Sequence, residues 1–271
     1  KYNFMNLKKN KKIKNHIKLI ILAGGKGTRL SEETFLKPKP MIEIGHFPII
    51  WHIMKSFSYY GIEEFIHALG YKSEVVKNYF LNYRQFSGNI SLDLRNDRVV
   101  NHNKIYENWK IHFLETGLKT ETGGRIKQAM QFAGSERIMA TYGDALSNIN
   151  ISNLLAFHKS HGKLATLAAV RPPSRFGDVR IIKNRVIDFK EKNQTGKGWI
   201  NGGYFILDPE VIDYIDSNDT IFERKPLERL SNDGQLMAYK HKGFWQPMDV
   251  LREKEVLENL WESNNPPWKV W

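Results

Sequence analysis

Short apolar runs alternate with segments of helical periodicity over the first half of the chain. Residues 18–23 are almost wholly apolar, which is typical of a buried strand, whereas residues 48–61 carry apolar side chains at helical spacing and close at Gly61. By these criteria we predict strands at 18–23, 63–70, 110–116 and 136–145, the last of which ends in a turn, and helices at 48–61, 73–83 and 123–133. This alternation predicts an α/β fold with a mostly parallel sheet and helices on both faces.

The pattern changes after about residue 163, where shorter apolar segments predict antiparallel strands. Two of them flank a turn at Lys183-Asn184, and a third covers 199–207. A last helix is predicted over 249–263, with Asp249 as its N-cap. Because no repeat or linker interrupts the chain, residues 18–271 are predicted to form a single domain.

The net charge of +12 is concentrated in one segment. Residues 1–18 contain seven lysines and no acidic residue, so they supply more than half of the net charge. A run of like charges is usually a solvated segment, and we therefore predict that residues 1–17 form a basic, flexible N-terminal extension. The alternative is an arm that contacts anionic partners such as nucleic acid.

The composition excludes several classes of site. The chain has no cysteine, which rules out disulfides, thiolate metal sites and cysteine nucleophiles, and nothing indicates an oxidising compartment. No apolar stretch approaches the 18 residues of a membrane span. We therefore expect a cytoplasmic protein without a membrane partner.

The stretch LAGGKGTRL, residues 22–30, follows the first predicted strand and combines three glycines with a lysine and an arginine. Glycine lets backbone N–H groups approach an anion, and fixed positive charge neutralises it, so the stretch predicts a phosphate site. A P-loop is excluded because the chain has no Gly-Lys-Ser/Thr, and the dinucleotide fingerprint is excluded because Leu30 stands where it needs glycine. A turn without function is the alternative.

Further candidates for phosphate chemistry lie in KPKPM and TYGD. Lys37 and Lys39 stand beside prolines, which restrict the backbone and can aim a lysine at a charged group. Asp144 follows a predicted strand and a glycine, where a carboxylate could hold a hard cation, and Asp249 offers a second carboxylate. Taken alone, a surface turn explains the lysines equally well, and capping explains the aspartates.

A longer set of motifs indicates that these candidate residues belong to one functional site. LAGGKGTRLSEETFLKPKPMIEIG closely resembles the signature of sugar-1-phosphate nucleotidyltransferases. WHIMK, TGGR, TYGD, FHKSHGKLATL, INGGYF and GFWQPMD extend the resemblance, in order, from about Leu19 to the C-terminal PPWKVW, and they resemble the members that use CTP and glucose 1-phosphate. The resemblance implies a Rossmann-like, mostly parallel mixed sheet flanked by helices, with an antiparallel sugar-binding region in the C-terminal half.

The activity that the resemblance implies is transfer of a cytidylyl group from CTP to α-D-glucose 1-phosphate, which yields CDP-glucose and pyrophosphate. The sugar phosphate would attack the α-phosphorus in line with the assistance of Mg²⁺. A uridylyl or thymidylyl transferase on the same scaffold is the first alternative, and a protein that binds nucleic acid through its basic arm is the second. The resemblance also implies a homo-oligomer, often a hexamer, and a product used in polysaccharide biosynthesis.

The resemblance assigns roles to individual residues. Arg29 and Lys39 are the implied catalytic residues, with Lys37 as the fallback for Lys39, and Asp144 and Asp249 are the implied Mg²⁺ ligands. The implied nucleotide-binding residues are Leu22, Ala23, Gly24, Gly25, Gly27, Thr28, Arg29, Lys39, Thr120, Thr122, Arg125 and Gly143, of which Thr120 or Thr122 and Arg125 would contact the base. The implied sugar-phosphate residues are Tyr142, Gly177, Glu191, Lys192, Asn201 and Gly202.

The two implied metal ligands make a geometric demand. Asp144 and Asp249 belong to opposite halves of the sequence. They can meet only if the WQPMD segment folds back over the first half of the chain.

Overall fold

The computed structural model describes residues 17–27, 30–102, 107–134, 136–173, 178–182, 185–190 and 198–271. The predicted N-terminal extension therefore lies outside the described residues, apart from Ile17, which is 7% exposed and belongs to the apolar core. Five of the implied site residues also lie outside them: Thr28, Arg29, Gly177, Glu191 and Lys192.

Helices and strands occupy most of the described chain. The helices are α1 (Ser31–Thr34), α2 (Ile49–Tyr59), α3 (Ser73–Leu81), α4 (Tyr83–Phe86), α5 (Thr122–Ala133), α6 (Ile151–His161), α7 (Lys225–Asn232) and α8 (Leu251–Glu262), with short 3-10 helices at Lys39–Met41 and Pro209–Tyr214. The strands are β1 (Leu19–Ala23), β2 (Glu43–Ile44), β3 (Phe47–Pro48), β4 (Glu64–Leu69), β5 (Ile90–Asp93), β6 (Arg98–Asn101), β7 (Lys110–Glu115), β8 (Ile138–Tyr142), β9 (Ala145–Ser147), β10 (Ala165–Val170), β11 (Asp178–Ile182), β12 (Arg185–Lys190), β13 (Ile200–Leu207), β14 (Leu236–His241) and β15 (Trp245–Pro247).

A seven-stranded mixed sheet, in the order β14-β10-β13-β8-β1-β4-β7, forms the centre of the fold. Strands β8, β1, β4 and β7 are mutually parallel, which confirms the predicted α/β fold and its mostly parallel sheet. Strand β13 runs antiparallel to both β8 and β10, and β11 pairs antiparallel with β12, as the second half of the sequence predicts. Strand β14, which the sequence reasoning missed, lies parallel to β10.

Strand β1 is buried on both of its faces, which explains why its sequence is a continuous apolar run. Leu19 and Ile21 belong to the apolar cluster that contains the buried side chains of α2, whereas Ile20 belongs to the cluster of α5 on the opposite face. Because both faces of a parallel sheet are covered by helices, strict alternation of polar and apolar residues is absent. The first glycine-rich turn thus follows a strand held rigidly by the core.

Two predictions of local structure differ from the fold. Asp249 is not the N-cap of the last helix: α8 begins at Leu251, and the residue before it, Val250, has no side chain that can cap. The Asp249 carboxylate is instead bound to a lysine, as described below. Helix α6 was missed by the sequence reasoning, although Asn150 caps it by accepting from the backbone N–H of Asn153 at 2.9 Å.

A helix that spans a bilayer needs about 20 consecutive, predominantly apolar residues. None of the helices in the described part of the chain is both long enough and apolar enough to span a membrane.

A buried histidine on strand β4 has no hydrogen-bond partner among the residues that the structure describes. His67 lies between the rings of Phe80 and Phe113, with centroids 5.1 and 5.6 Å away, and neither of its ring nitrogens finds a hydrogen-bond partner in the described chain. Burial lowers the pKa of His67 from 6.5 to about 3. The folded state therefore holds a neutral imidazole where the unfolded chain takes up a proton below pH 6.5.

We expect the variant His67→Leu to be more stable than the wild type and less sensitive to acid. Because the folded-state pKa is depressed, the unfolded state binds the extra proton, so this histidine lowers the free energy of unfolding by about 1 kcal/mol between pH 7.5 and pH 5.5. Urea unfolding at the two pH values measures the difference, with the exposed His46→Leu as the control. An unchanged pH dependence in His67→Leu would contradict the expectation.

Candidate active site

The carboxyl ends of three parallel strands are joined by one buried side chain. Arg125 of α5 is 4% exposed, and its guanidinium donates from Nη1 to the carbonyl of Leu69 at 3.0 Å and to Thr116 Oγ1 at 2.6 Å. Its Nη2 donates to the carbonyl of Gly24 at 3.1 Å. These acceptors follow or end β4, β7 and β1, so Arg125 fixes the first residue of the glycine-rich turn relative to its neighbours.

The same contacts bear on the predicted role of Arg125 at the base. Three of its five N–H groups are directed at protein acceptors. A Cβ atom at Gly24 would lie 2.1 Å from Arg125 Nη1, so the turn needs glycine there in order to accommodate the guanidinium. What the structure shows for Arg125 is support of the turn, and its contact with a base stays a prediction.

The glycine-rich turn also requires glycine at position 27, because of the backbone conformation there. This residue has φ +63°, in the left-handed region, and a Cβ atom there would lie 2.9 Å from Thr34 Cγ2. Its carbonyl accepts from the backbone N–H of Leu30 at 3.0 Å, which closes the turn in front of α1. Thr28 and Arg29, which lie between these two residues, are outside the described residues.

A cavity of about 340 Å³, the turn cavity, lies in front of the strand ends. It brings together all the predicted nucleotide-binding residues that the structure describes. Its lining residues are Leu22, Ala23, Gly24, Gly25, Gly27, Lys39, Pro40, Thr120, Glu121, Thr122, Arg125, Tyr142, Gly143 and Asp144. Glu121 was not singled out by the sequence reasoning, although it lies between two residues that were.

A second and larger cavity of about 650 Å³, the wide cavity, adjoins the first. The two cavities share Tyr142 and Asp144, and Asn201 and Asp249 line the wide cavity. Gly202 was predicted to contact the sugar, but its carbonyl accepts from Trp245 Nε1 at 2.8 Å, and a Cβ atom there would lie 2.7 Å from Val170 Cγ1. Gly202 therefore serves close packing beneath the cavity wall.

The C-terminal half folds back to the site through a short sheet. Strand β15 pairs antiparallel with β9, and the backbone N–H of Met248 donates to the carbonyl of Asp144 at 2.8 Å. This pairing brings Asp249 beside Asp144. The geometric demand made by the sequence is thereby met.

Both carboxylates contact one ammonium group. Lys39 Nζ lies 2.7 Å from Asp144 Oδ2 and 2.5 Å from Asp249 Oδ1, and its side chain is 9% exposed. Lys37, the fallback candidate, instead pairs with Glu43 at 3.3 Å near the surface. Of the two lysines, Lys39 is therefore the one that contacts the aspartates, and its catalytic role stays a prediction.

The charge of Lys39 is held by its two partners. Burial alone would lower the pKa of Lys39, but the attraction of Asp144 and Asp249 outweighs it, and the net pKa is raised. The ammonium consequently stays protonated over the whole physiological pH range.

The paired carboxylates also fit a hard divalent cation. They come from opposite halves of the chain and already bracket one positive charge, and carboxylate oxygen is the ligand type that Mg²⁺ prefers. Within the described residues, no group of three or more histidine or acidic side chains is arranged to hold a metal. A cation bound by these two aspartates would therefore need further oxygens from phosphates or water.

The hydroxyls predicted to face a base are bonded within the protein. Thr120 Oγ1 donates to the carbonyl of Thr116 at 2.5 Å. Thr122 Oγ1 donates to Glu223 Oε2 at 2.6 Å and accepts from the backbone N–H of Phe222 at 2.9 Å. Since a hydroxyl has one proton, both oxygens can act only as acceptors toward the turn cavity.

Comparison with known proteins gives consistent matches. Residues 18–250 match the family described as nucleotidyl transferase. The chain is 48% identical over 256 residues to glucose-1-phosphate cytidylyltransferase of Salmonella typhimurium, and 43% identical over 256 residues to probable glucose-1-phosphate cytidylyltransferase of Bacillus subtilis. In both cases 94% of this chain covers 100% of the relative.

Solved structures share the fold at lower identity. HddC from Yersinia pseudotuberculosis superposes with a TM-score of 0.67 at 22% identity, covering 90% of this chain and 99% of that chain. UDP-glucose pyrophosphorylase complexed with UDP-glucose superposes with a TM-score of 0.65 at 18% identity, covering 92% and 99% of the two chains. These likenesses confirm the α/β architecture.

We expect Lys39→Met to lower the free energy of unfolding by about 2–4 kcal/mol, because it leaves two carboxylates facing each other without a counter-charge. Lys37→Met is the matched control and removes only a surface ion pair, worth about 0.5 kcal/mol or less. Urea unfolding at pH 7.5 measures both variants. Equal losses would show that the pairing of Lys39 with the aspartates contributes nothing to stability.

Proposed function

The chain belongs to the nucleotidyl transferase family, and on that premise we propose that it transfers the cytidylyl group of CTP to α-D-glucose 1-phosphate, releasing pyrophosphate and CDP-glucose. One observation carries the chemistry: a lysine and two aspartates meet where two adjacent cavities join. The choice of base and sugar is supported by the names of the relatives that are 48% and 43% identical to the chain.

The proposed reaction needs no nucleophile from the protein. An oxygen of the sugar phosphate attacks the α-phosphorus of CTP and forms a new P–O bond. The bond from that phosphorus to the β-bridging oxygen breaks, and pyrophosphate leaves with the electron pair. Both substrates are polyanions, so the protein must position them in line and neutralise their charge, and these effects together are worth on the order of 10 kcal/mol.

Residues of the turn cavity supply the positive and polar groups for this task. Lys39 carries a permanent charge at the junction of the cavities and would lie against the phosphates. The backbone of Gly24, Gly25 and Gly27 would hold the triphosphate, and Thr28 and Arg29 keep the roles implied by the resemblance. Mg²⁺ held by Asp144 and Asp249 would neutralise charge on the α-phosphate.

The acceptors at the far end of the turn cavity support cytosine. The oxygens of Thr120 and Thr122 can only accept, and the carboxylate of Glu121 is also an acceptor. Cytosine presents an amino group, a donor, where uracil and thymine present a carbonyl oxygen. An acceptor-lined end therefore favours CTP over UTP and dTTP.

The wide cavity would take the sugar phosphate. Tyr142 and Asn201 line it, and Gly177, Glu191 and Lys192 remain predicted sugar-phosphate residues.

We also propose a cytoplasmic location and assembly into a homo-oligomer, for which a hexamer is the expectation. Apolar side chains exposed on the β5–β6 hairpin, among them Leu92 and Leu94, support assembly, and light scattering would measure it.

We expect the protein to release pyrophosphate from CTP and glucose 1-phosphate at least tenfold faster than from UTP or dTTP with the same sugar phosphate, since one matched amino group is worth about 1–3 kcal/mol. A coupled pyrophosphate assay with each triphosphate measures the rates. Equal or faster turnover with UTP would overturn the assignment of the base.

We expect Asp144→Asn to lower kcat by a factor on the order of 10² and to raise the Mg²⁺ concentration needed for half-maximal rate, because one of two carboxylates is lost. Asp97→Asn, on the exposed turn between β5 and β6, is the matched control. Titration of the initial rate with Mg²⁺ tests both. A normal Mg²⁺ dependence in Asp144→Asn would remove this residue from the proposed metal site.

A further inference from the structure

We propose that Glu223 is a positioning residue whose single carboxylate links the base end of the turn cavity to the wall between the two cavities. The inference rests on the proposed function and goes beyond it, because Glu223 is absent from the described residues that line either cavity. It would act through Thr122 and Tyr142, one on each side.

The two oxygens of the Glu223 carboxylate have different partners. Oε1 accepts from the phenol of Tyr142, and Oε2 accepts from Thr122 Oγ1 at 2.6 Å. The backbone next to Glu223 is also anchored. The preceding residue, Phe222, is fully buried, and its backbone N–H donates to Thr122 Oγ1 at 2.9 Å. Glu223 is therefore held where it can orient both hydroxyls at once.

Tyr142 is one of the two residues that line both cavities, and two further neighbours, Asn201 and Gly203, define its place. Asn201 Nδ2 donates to the Tyr142 hydroxyl at 3.1 Å, while Asn201 Oδ1 accepts from the N–H of Gly203 at 2.9 Å. Gly203 has φ +76°, and a Cβ atom there would lie 2.2 Å from Tyr142 Cδ2. The ring thus rests against a residue that must be glycine, and its hydroxyl is held by Glu223 and Asn201.

Tyr142 and Thr122 both donate to the carboxylate of Glu223. Only an ionised carboxylate can accept from two hydroxyls through two equivalent oxygens, and hydrogen bonds to a charged acceptor are about twice as strong as neutral ones.

This geometry predicts coupling between the two substrate sites. In Glu223→Gln, the amide nitrogen replaces one acceptor and the negative charge is lost, so one of the two hydroxyls loses its partner and the other donates only to a weaker, neutral acceptor. We expect the KM for CTP and the KM for glucose 1-phosphate each to rise about tenfold, with a smaller change in kcat, because the residue positions binding groups and does not contact the reacting atoms. Glu228→Gln, on the exposed face of α7, is the matched control and should leave both KM values within about twofold of wild type.

Two further variants separate the arms of the proposed link. Tyr142→Phe should raise chiefly the KM for glucose 1-phosphate, and adding Glu223→Gln to it should raise that KM no further while still raising the KM for CTP. Thr122→Val should raise only the KM for CTP. Fully additive effects in the double variant, or a Glu223→Gln variant that behaves like Glu228→Gln, would overturn the inference.

The test remains valid if the proposed function fails. Should the wild type form no product from CTP, calorimetry on the same variants would measure binding of glucose 1-phosphate and of whichever nucleoside triphosphate the wild type binds. Urea unfolding of each variant identifies a general loss of stability, which would lower the unfolding midpoint without the pattern of separate KM changes. Such a loss alone, with unchanged KM values, would assign Glu223 a structural role only.

Discussion

The contact of one lysine with two aspartates is the constraint on which the site depends. Lys39 is nearly buried, and an isolated ammonium in such a place would be strongly disfavoured, so the two carboxylates must be present together. One carboxylate follows β8, and the other reaches the site only because β15 pairs with β9. The charge cluster therefore ties the C-terminal segment to the glycine-rich turn and places cationic and anionic groups where the cavities join.

The guanidinium of Arg125 is a second charged group that supports the glycine-rich turn, from the ends of the strands beneath it. Arg125 crosses the ends of β1, β4 and β7 and donates to the carbonyls of Leu69 and Gly24, each of which also accepts from a backbone N–H, and to the hydroxyl of Thr116. A guanidinium suits this task because its donors lie in one plane and point in several directions, which an ammonium group cannot reproduce. The glycine-rich turn is thus held at Gly24 by Arg125, and Lys39 packs close to Gly27, where a Cβ atom would lie 3.1 Å from Lys39 Cβ.

Features that depend on local sequence could be predicted, and those that depend on distant pairing could not. The strand β1 and helices α2 and α5 were predictable because their apolar periodicity is contained in a few residues. The local pattern around Asp249 predicts a helix cap, whereas the resemblance implies a metal ligand, and the contact with Lys39, 210 residues earlier in the chain, cannot be predicted from the neighbouring residues. Glu223 carried no local signal at all, since its partners are 81 and 101 residues away.

The two junction residues have complementary functions in the proposed reaction. Asp144 holds the positively charged ammonium of Lys39 at the point where the cavities meet, whereas Tyr142 brings a rigid, neutral wall whose hydroxyl is already bonded within the protein. A polyanion on either side is therefore attracted to the same point but separated by a surface that cannot move freely. In-line transfer needs both properties, because charge neutralisation without orientation would bring the phosphates together in unreactive arrangements. The fold supplies them from the last residue of β8 and from the second residue after it, which makes the register of β8 the common determinant of both.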